Sequence, residues 1–300
     1  MPLTPLRNRM SQRLLTMVAG QDGAQARYRI HGTPGPRWFP AGTPITVVHG
    51  DASMYIGGIR ALLLQALHPL AMAAVDDFSD YRTNVWGRLA RTATFIATTT
   101  FGTADHAQQA VDVVRAVHSR VTGTAPDGRA YRADDPHLLS WVHAAEIDSF
   151  LTAHQIFGRR RLNVTECDTY VAQAAVVARA LGADPVPTTA AGLQAHLGRF
   201  RPELHGTPAA RAVVGFIREV PVPRAARPGY RMLVRSAIAT LPRWARAPLG
   251  LPDRPIPDRT IHRFTGSTMT AGIRWITTAE PMRDPHRAPD DRTALPSNRR

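Results

Sequence analysis

The chain contains no lysine: all 37 of its basic residues are arginine. Arginine stays protonated up to a pH of about 12, which excludes Schiff-base catalysis, a phosphate-loop lysine and lysine ligation of a metal. A single cysteine, Cys167, leaves no internal disulfide and no multi-cysteine zinc or iron–sulfur centre. It falls near the start of an ordinary helical pattern and reads as a packing residue. Long apolar runs are missing too. The longest uncharged stretch, Ala61 to Val75, contains Gln65, His68 and Pro69 and is shorter than the ~18–20 residues a spanning helix needs. Acidic residues number only 23, which leaves a net charge of +14. The arginines are scattered, and part of the excess lies in the tails, so the charge reads as composition and not as a nucleic-acid footprint. Leu14 to Gly20 is too short for a signal peptide and lacks a cleavage pattern, so the expected location is cytoplasmic.

What is present is enough for one large core: 300 residues with 44% hydrophobic content. The periodicity predicts an all-α chain, essentially one domain. Residues 1–44 form an N-terminal basic helix (Leu3 to Ala19) and a Gly/Pro-rich loop. Residues 45–278 form the helical domain, and 279–300 a charged, Pro-rich tail expected to be disordered. Helices are expected at roughly 54–67, 68–76, 83–101, 104–122, 136–157, 164–181 and 189–200. Others follow from Thr207 to Glu219, from Tyr230 to Arg246 and from Asp258 to Thr278. Ile45-Thr-Val-Val48 reads as a short extended piece with nothing to pair with, and Pro221, Pro223 and Pro228 as interruptions.

The organising stretch is Val111 to Phe150. Val111, Val114, His118 and Val121 recur on one helical face, and Leu139, Val142, Glu146 and Phe150 surround His143 on another. Gly123-Thr-Ala-Pro-Asp-Gly128 is turn chemistry, and Asp135-Pro136 supplies an N-cap and a first-turn proline. The expectation is an antiparallel helix pair that points two imidazoles into one interior. A lone interior histidine more often bonds a carbonyl and simply packs. Here, however, His68 lies inside the Ala61–Val75 run, and Arg88, Arg91, Thr92 and Phe95 share one face of the next helix. Each such group left unpaired in an interior costs roughly 1–3 kcal/mol, which favours a ligand that pairs them. The two guanidiniums and the hydroxyl suit an anion; the competing reading is a solvated face paired to Asp76, Asp77 or Asp80.

Six segments in this order resemble the MpaB-type oxygenases and the catalytic domain of rubber oxygenases (latex-clearing proteins), over roughly residues 45 to 260. They are Ala61-Leu-Leu-Leu-Gln-Ala-Leu-His68-Pro69, Phe78-Ser-Asp-Tyr-Arg82, Gly87-Arg88-Leu-Ala-Arg91-Thr92, Val117-His118-Ser-Arg-Val-Thr-Gly123, Gly128-Arg-Ala-Tyr131 and Asp135-Pro-His-Leu-Leu-Ser-Trp141-Val-His143. The resemblance implies haem b in an all-α fold with a globin-like core, and His118 as the proximal iron ligand. Arg88, Arg91 and Thr92 would then face the distal side, in catalytic roles or as a propionate anchor. His143, His68 and Trp141 would complete or buttress the cofactor pocket. Rubber oxygenases carry a lysine at the position of Arg91, and arginine cannot bind iron in its place.

The expected activity is a haem-dependent oxygenase that uses dioxygen on a hydrophobic small molecule, with oxidative cleavage of an olefin or isoprenoid chain as the analogy. An electron donor is not identifiable, and peripheral membrane contact is compatible with the composition. Two other classes stay open: a non-catalytic haem- or lipid-binding protein, and a non-haem metalloenzyme built on His118, His143 and Glu146, where His143 and Glu146 have helical i, i+3 spacing.

Overall fold

The structure, a computed structural model of the chain, describes residues 23–78, 84–253 and 260–277. The helix expected at Leu3 to Ala19, the tail from residue 279 and the segment Ser79 to Arg82 lie outside them. The described residues form an all-α fold: α1 (Gly23–His31), α2 (Pro44–His49), α3 (Met54–Gln65), α4 (Pro69–Phe78), α5 (Val85–Phe101) and α6 (Ala104–His118). A two-stranded hairpin, β1 (Thr122–Thr124) and β2 (Ala130–Arg132), then leads to α7 (Pro136–Phe157), α8 (Val164–Leu181) and α9 (Ala190–Phe200). After a short 3-10 turn, Arg201–Glu203, the chain continues through α10 (Pro208–Glu219), α11 (Arg227–Thr240), α12 (Arg243–Arg246) and α13 (Ile261–Thr277). No single helix among the described residues is long and apolar enough to cross a membrane. The bent pair α3 and α4 passes on length and composition together but turns by 107°.

Local chemistry sets most of the boundaries. The Asp135 carboxylate accepts from the His137 N–H at 2.8 Å, with Pro136 in the first turn of α7. Asn163 and Glu166 form a reciprocal capping box on α8, and Gly182 closes that helix at φ +101°. Pro228, expected to interrupt the chain, instead sits in the first turn of α11, where its missing N–H has no helical partner to lose.

Further expectations are corrected. Residues 45–48 are helical and not extended: Pro44 starts α2, and Ile45 and Val48 share its fully buried face. The stretch read as loop from Gly20 to Pro44 contains α1, which packs on α5. Another concerns α6, which stops at His118 and not at 122. Thr122–Thr124 pairs antiparallel with Ala130–Arg132, placing Gly123 opposite Tyr131. Tyr131 is buried, and its hydroxyl donates to the Asp77 carboxylate at the end of α4. A side chain at position 123 would collide with that ring, so the hairpin needs glycine there. Val121 therefore leaves the helical stripe. The two histidine-bearing helices do not form the expected packed pair either: α6 packs against α5 and α8, while the hairpin packs on α4.

The core is organised on α3 and α7, whose contact is the most extensive in the molecule. Leu63, Leu64, Trp141, Tyr170 and Phe200 fill it. Gly57 lets the helices approach, because a Cβ there would stand 3.0 Å from the Phe150 ring. Inside this interface Arg60 and Asp148 form an ion pair at 2.7 Å, with side chains 4% and 7% exposed. Arg60 also donates to Ser149 Oγ (2.7 Å) and Thr240 O (3.1 Å). Gln194 donates to Asp148 at 2.6 Å. The pair is thus held by surrounding hydrogen bonds, as a buried pair must be to offset its desolvation.

Candidate functional site

The residues singled out in the sequence fall into three places. The first is the inner end of α3. His68 lies at the tight α3–α4 turn, 1% exposed, against the rings of Trp141 and Phe200. Its Nε2 faces Glu203 Oε2 at 3.3 Å, and the Ala71 N–H reaches Nδ1 at 3.5 Å. Burial lowers the His68 pKa, with Glu203 opposing. Trp141 is fully buried in the main core, and its indole N–H donates to Gln65 O at 3.3 Å.

The second place is α5. Asn84 caps it by accepting from the Gly87 N–H at 3.1 Å. Arg88 is half-buried, and Arg91 and Thr92 are exposed. From Trp86 to Ala97 no residue of this helix is buried, whereas Thr98, Thr99 and Thr100 in its last turns are. The helix packs on α1, α2 and α6 but has no comparable contact with α7. An amphipathic helix that covers its apolar stripe only at one end leaves its other end facing either solvent or a bound group.

The third place is shared by α6 and α7. His118 closes α6, half-buried, with its pKa lowered by burial and raised in part by Asp134. His143 lies in the first half of α7, where burial, then His196 and Arg179, lower its pKa to about 3. Its Nε2 is buried with no hydrogen-bond partner among the described residues. One turn on, burial raises Glu146 to about 7. The charged neighbours of the two histidines differ, so His118 and His143 occupy separate surroundings. Nor do His118, His143 and Glu146 make a compact ligand set. The described group whose ligand atoms all lie within 4.8 Å of one another is His68, His137 and Glu203.

Several polar residues escaped the sequence reading. His49 on α2 bonds Thr100 Oγ1 at 2.8 Å through Nδ1 and the Tyr170 hydroxyl at 3.2 Å through Nε2. Burial lowers its pKa to about 3. The apolar Val47-Val48 before it was a usable signal, obscured once the segment was read as extended. A cleft of about 730 Å³ opens among Asp51, His154, Arg159, Arg160 and Arg274. None of the sequence-predicted residues lines it. His137 and Glu203 carried no spacing signal, because the third partner, His68, is far away in the chain.

These features define an all-α protein with one closed core and one helix left partly uncovered. The chain belongs to the ER-bound oxygenase mpaB/B'/rubber oxygenase catalytic-domain family, whose model matches residues 46–275. It is therefore an oxygenase-type oxidoreductase in class, with a small-molecule substrate and dioxygen as its reactants. No curated protein and no solved structure matches the chain.

Proposed function

We propose that the chain is a haem b-dependent oxygenase acting on a hydrophobic small molecule, with an olefin or isoprenoid chain as the substrate class. The observation that carries this reading is that α5 has no fully buried residue from Trp86 to Ala97 and, among the described residues, makes no extensive contact with α7. Two histidines outside α5 carry the donor atoms that a haem would need. His118 is kept neutral at pH 7 by its burial, which leaves a ring-nitrogen lone pair suited to iron. Asp134 is a nearby carboxylate able to strengthen that basicity. The buried, unpartnered Nε2 of His143 is a polar atom that a bound group would serve, which suits a distal or peripheral role.

When bound, haem supplies the one-electron and dioxygen chemistry. The protein's part is to hold and select. Arg88 and Arg91 anchor an anionic group such as a propionate, and Thr92 offers a hydroxyl beside them. His143, neutral down to about pH 3, acts as a hydrogen-bonding group and not as a cation. Phe95 and the uncovered apolar positions of α5 give a hydrophobic substrate its contact surface.

The test is the absorption spectrum and pyridine-haemochrome content of the purified protein, followed by oxygen uptake with short polyisoprenoids. A Soret band with about one haem per chain and isoprenoid-dependent oxygen uptake supports the reading. Haem without oxygen consumption would favour a non-catalytic haem-binding protein instead. Purification without haem, and no reconstitution by added haemin, would overturn it.

A further inference from the structure

We propose that His68, His137 and Glu203 form a second metal site, separate from the haem reading, that takes a divalent transition ion of the zinc class. The three residues come from distant parts of the chain: the α3–α4 turn, the first turn of α7 and the 3-10 turn after α9. Their ligand atoms nevertheless lie within 4.8 Å of one another. His68 Nε2 is 3.3 Å from Glu203 Oε2, and His137 Nε2 is 2.9 Å from that same oxygen and 3.0 Å from Oε1. Ligands about 2.0–2.1 Å from a tetrahedral zinc stand about 3.3 Å apart, so the His68–Glu203 distance already suits the ion and the His137–Glu203 contact needs to open by only about 0.4 Å.

The rings are already aimed. His68 is 1% exposed and held against Trp141 and Phe200. His137 stacks on Phe200 of the same cluster, with ring centroids 4.5 Å apart. Both present Nε2 to one carboxylate. Two imidazoles and a carboxylate are a donor set that zinc accepts, leaving its fourth position for water. That position has access, because the side chains of His137 and Glu203 are 51% and 36% exposed. The Ala71 N–H reaches His68 Nδ1 only at 3.5 Å, the outer limit of a hydrogen bond, so the tautomer that frees Nε2 gives up little. Occupation would tie the α3–α4 turn to the ends of α7 and α9.

The experiment titrates zinc chloride into the full-length, tag-free protein after chelator treatment, read by calorimetry and by thermal unfolding. His137→Ala and Glu203→Gln are compared with wild type; both positions are partly exposed, so the variants fold. We expect one tight equivalent of zinc, a rise of several degrees in melting temperature, and a loss of more than about a hundredfold in affinity in either variant. Haem content should be the same in all three proteins, which separates this site from the haem reading. Zinc binding undiminished in His137→Ala would place the ion elsewhere and overturn the proposal. So would a wild type that binds no zinc, leaving the three residues as a hydrogen-bonded cluster only.

Discussion

The α3–α7 pair and the α5–α6 pair both consist of helices with apolar stripes, yet only the first is closed. In α3 and α7 the stripes meet each other, Gly57 lets the backbones approach, and even a buried charge pair is fully bonded. In α5 Thr98 to Thr100 are fully buried beside α2, whereas Trp86 to Ala97 are at most partly buried, with Ile96 packed against the core. Helix α6 resembles α5: Val111 is buried, while Val113 and Val117 are 59% and 54% exposed. The difference separates positions buried for folding from positions that the described fold leaves partly exposed.

The largest effect should come from breaking the closed region. Arg60→Ala leaves the Asp148 carboxylate buried without its cation and should destabilise the protein by about 3–5 kcal/mol in denaturant unfolding. The same kind of truncation in the open region should behave differently. Phe95→Ala together with Arg88→Ala should change haem-free stability by no more than about 1 kcal/mol, because neither side chain is buried. Haem retention on purification should fall severalfold. A double variant that keeps its haem would show that α5 does not face the cofactor.

A smaller effect, read by pH, comes from two groups on α7. Glu146 is held protonated up to about 7, against an ordinary 4.5, because burial disfavours the carboxylate. The folded haem-free protein therefore keeps a proton that the unfolded chain has released, and this contribution to stability is lost as pH rises from about 4.5 through 7. Glu146→Gln should remove that loss and leave the variant about 1–2 kcal/mol more stable than wild type near pH 8, the side chain being only partly buried. His143 acts in the opposite direction. It is neutral when folded down to about 3, so stability falls as pH drops below the ordinary 6.5. Equal pH profiles for wild type and Glu146→Gln would mean that the carboxyl is solvated. The smallest change is spectral. Arg91→Lys puts an iron-binding side chain back on α5 and should give a low-spin haem species that grows with pH as the amine deprotonates. A spectrum unchanged from about pH 6 to about pH 10 would place residue 91 away from the iron.

The features legible in the sequence were those written in local chemistry. Asp135-Pro136, the Asn163/Glu166 box and Gly182 fixed helix ends correctly because each cap involves neighbours within a turn. The errors arose where a distant partner decides. The sequence carried the helix on to 122 and read 123–128 as a turn, and the pairing with β2 and the Asp77–Tyr131 contact make Thr122–Thr124 a strand. Ile45 to Val48 read as extended until Pro44 and the packing of α2 on α8 are seen. For the candidate site, the helices that carry Arg88, His118 and His143 were found, but their mutual placement was not. Periodicity says which face a residue shares, and nothing about which helix lies opposite. The cluster of His68, His137 and Glu203 was invisible for the same reason.

The haem reading rests most directly on His118 at the end of α6 and His143 on α7. The decisive measurement is the haem content, by pyridine haemochrome, of wild type, His118→Ala and His143→Ala purified in parallel. His118→Ala should fold, purify with little haem and partly recover it when imidazole is supplied to fill the space left by the ring. His143→Ala should keep its haem with an altered spin state or ligand affinity. Full haem in His118→Ala with loss in His143→Ala would reverse the axial assignment, and absence of haem from all three proteins would contradict the haem reading itself.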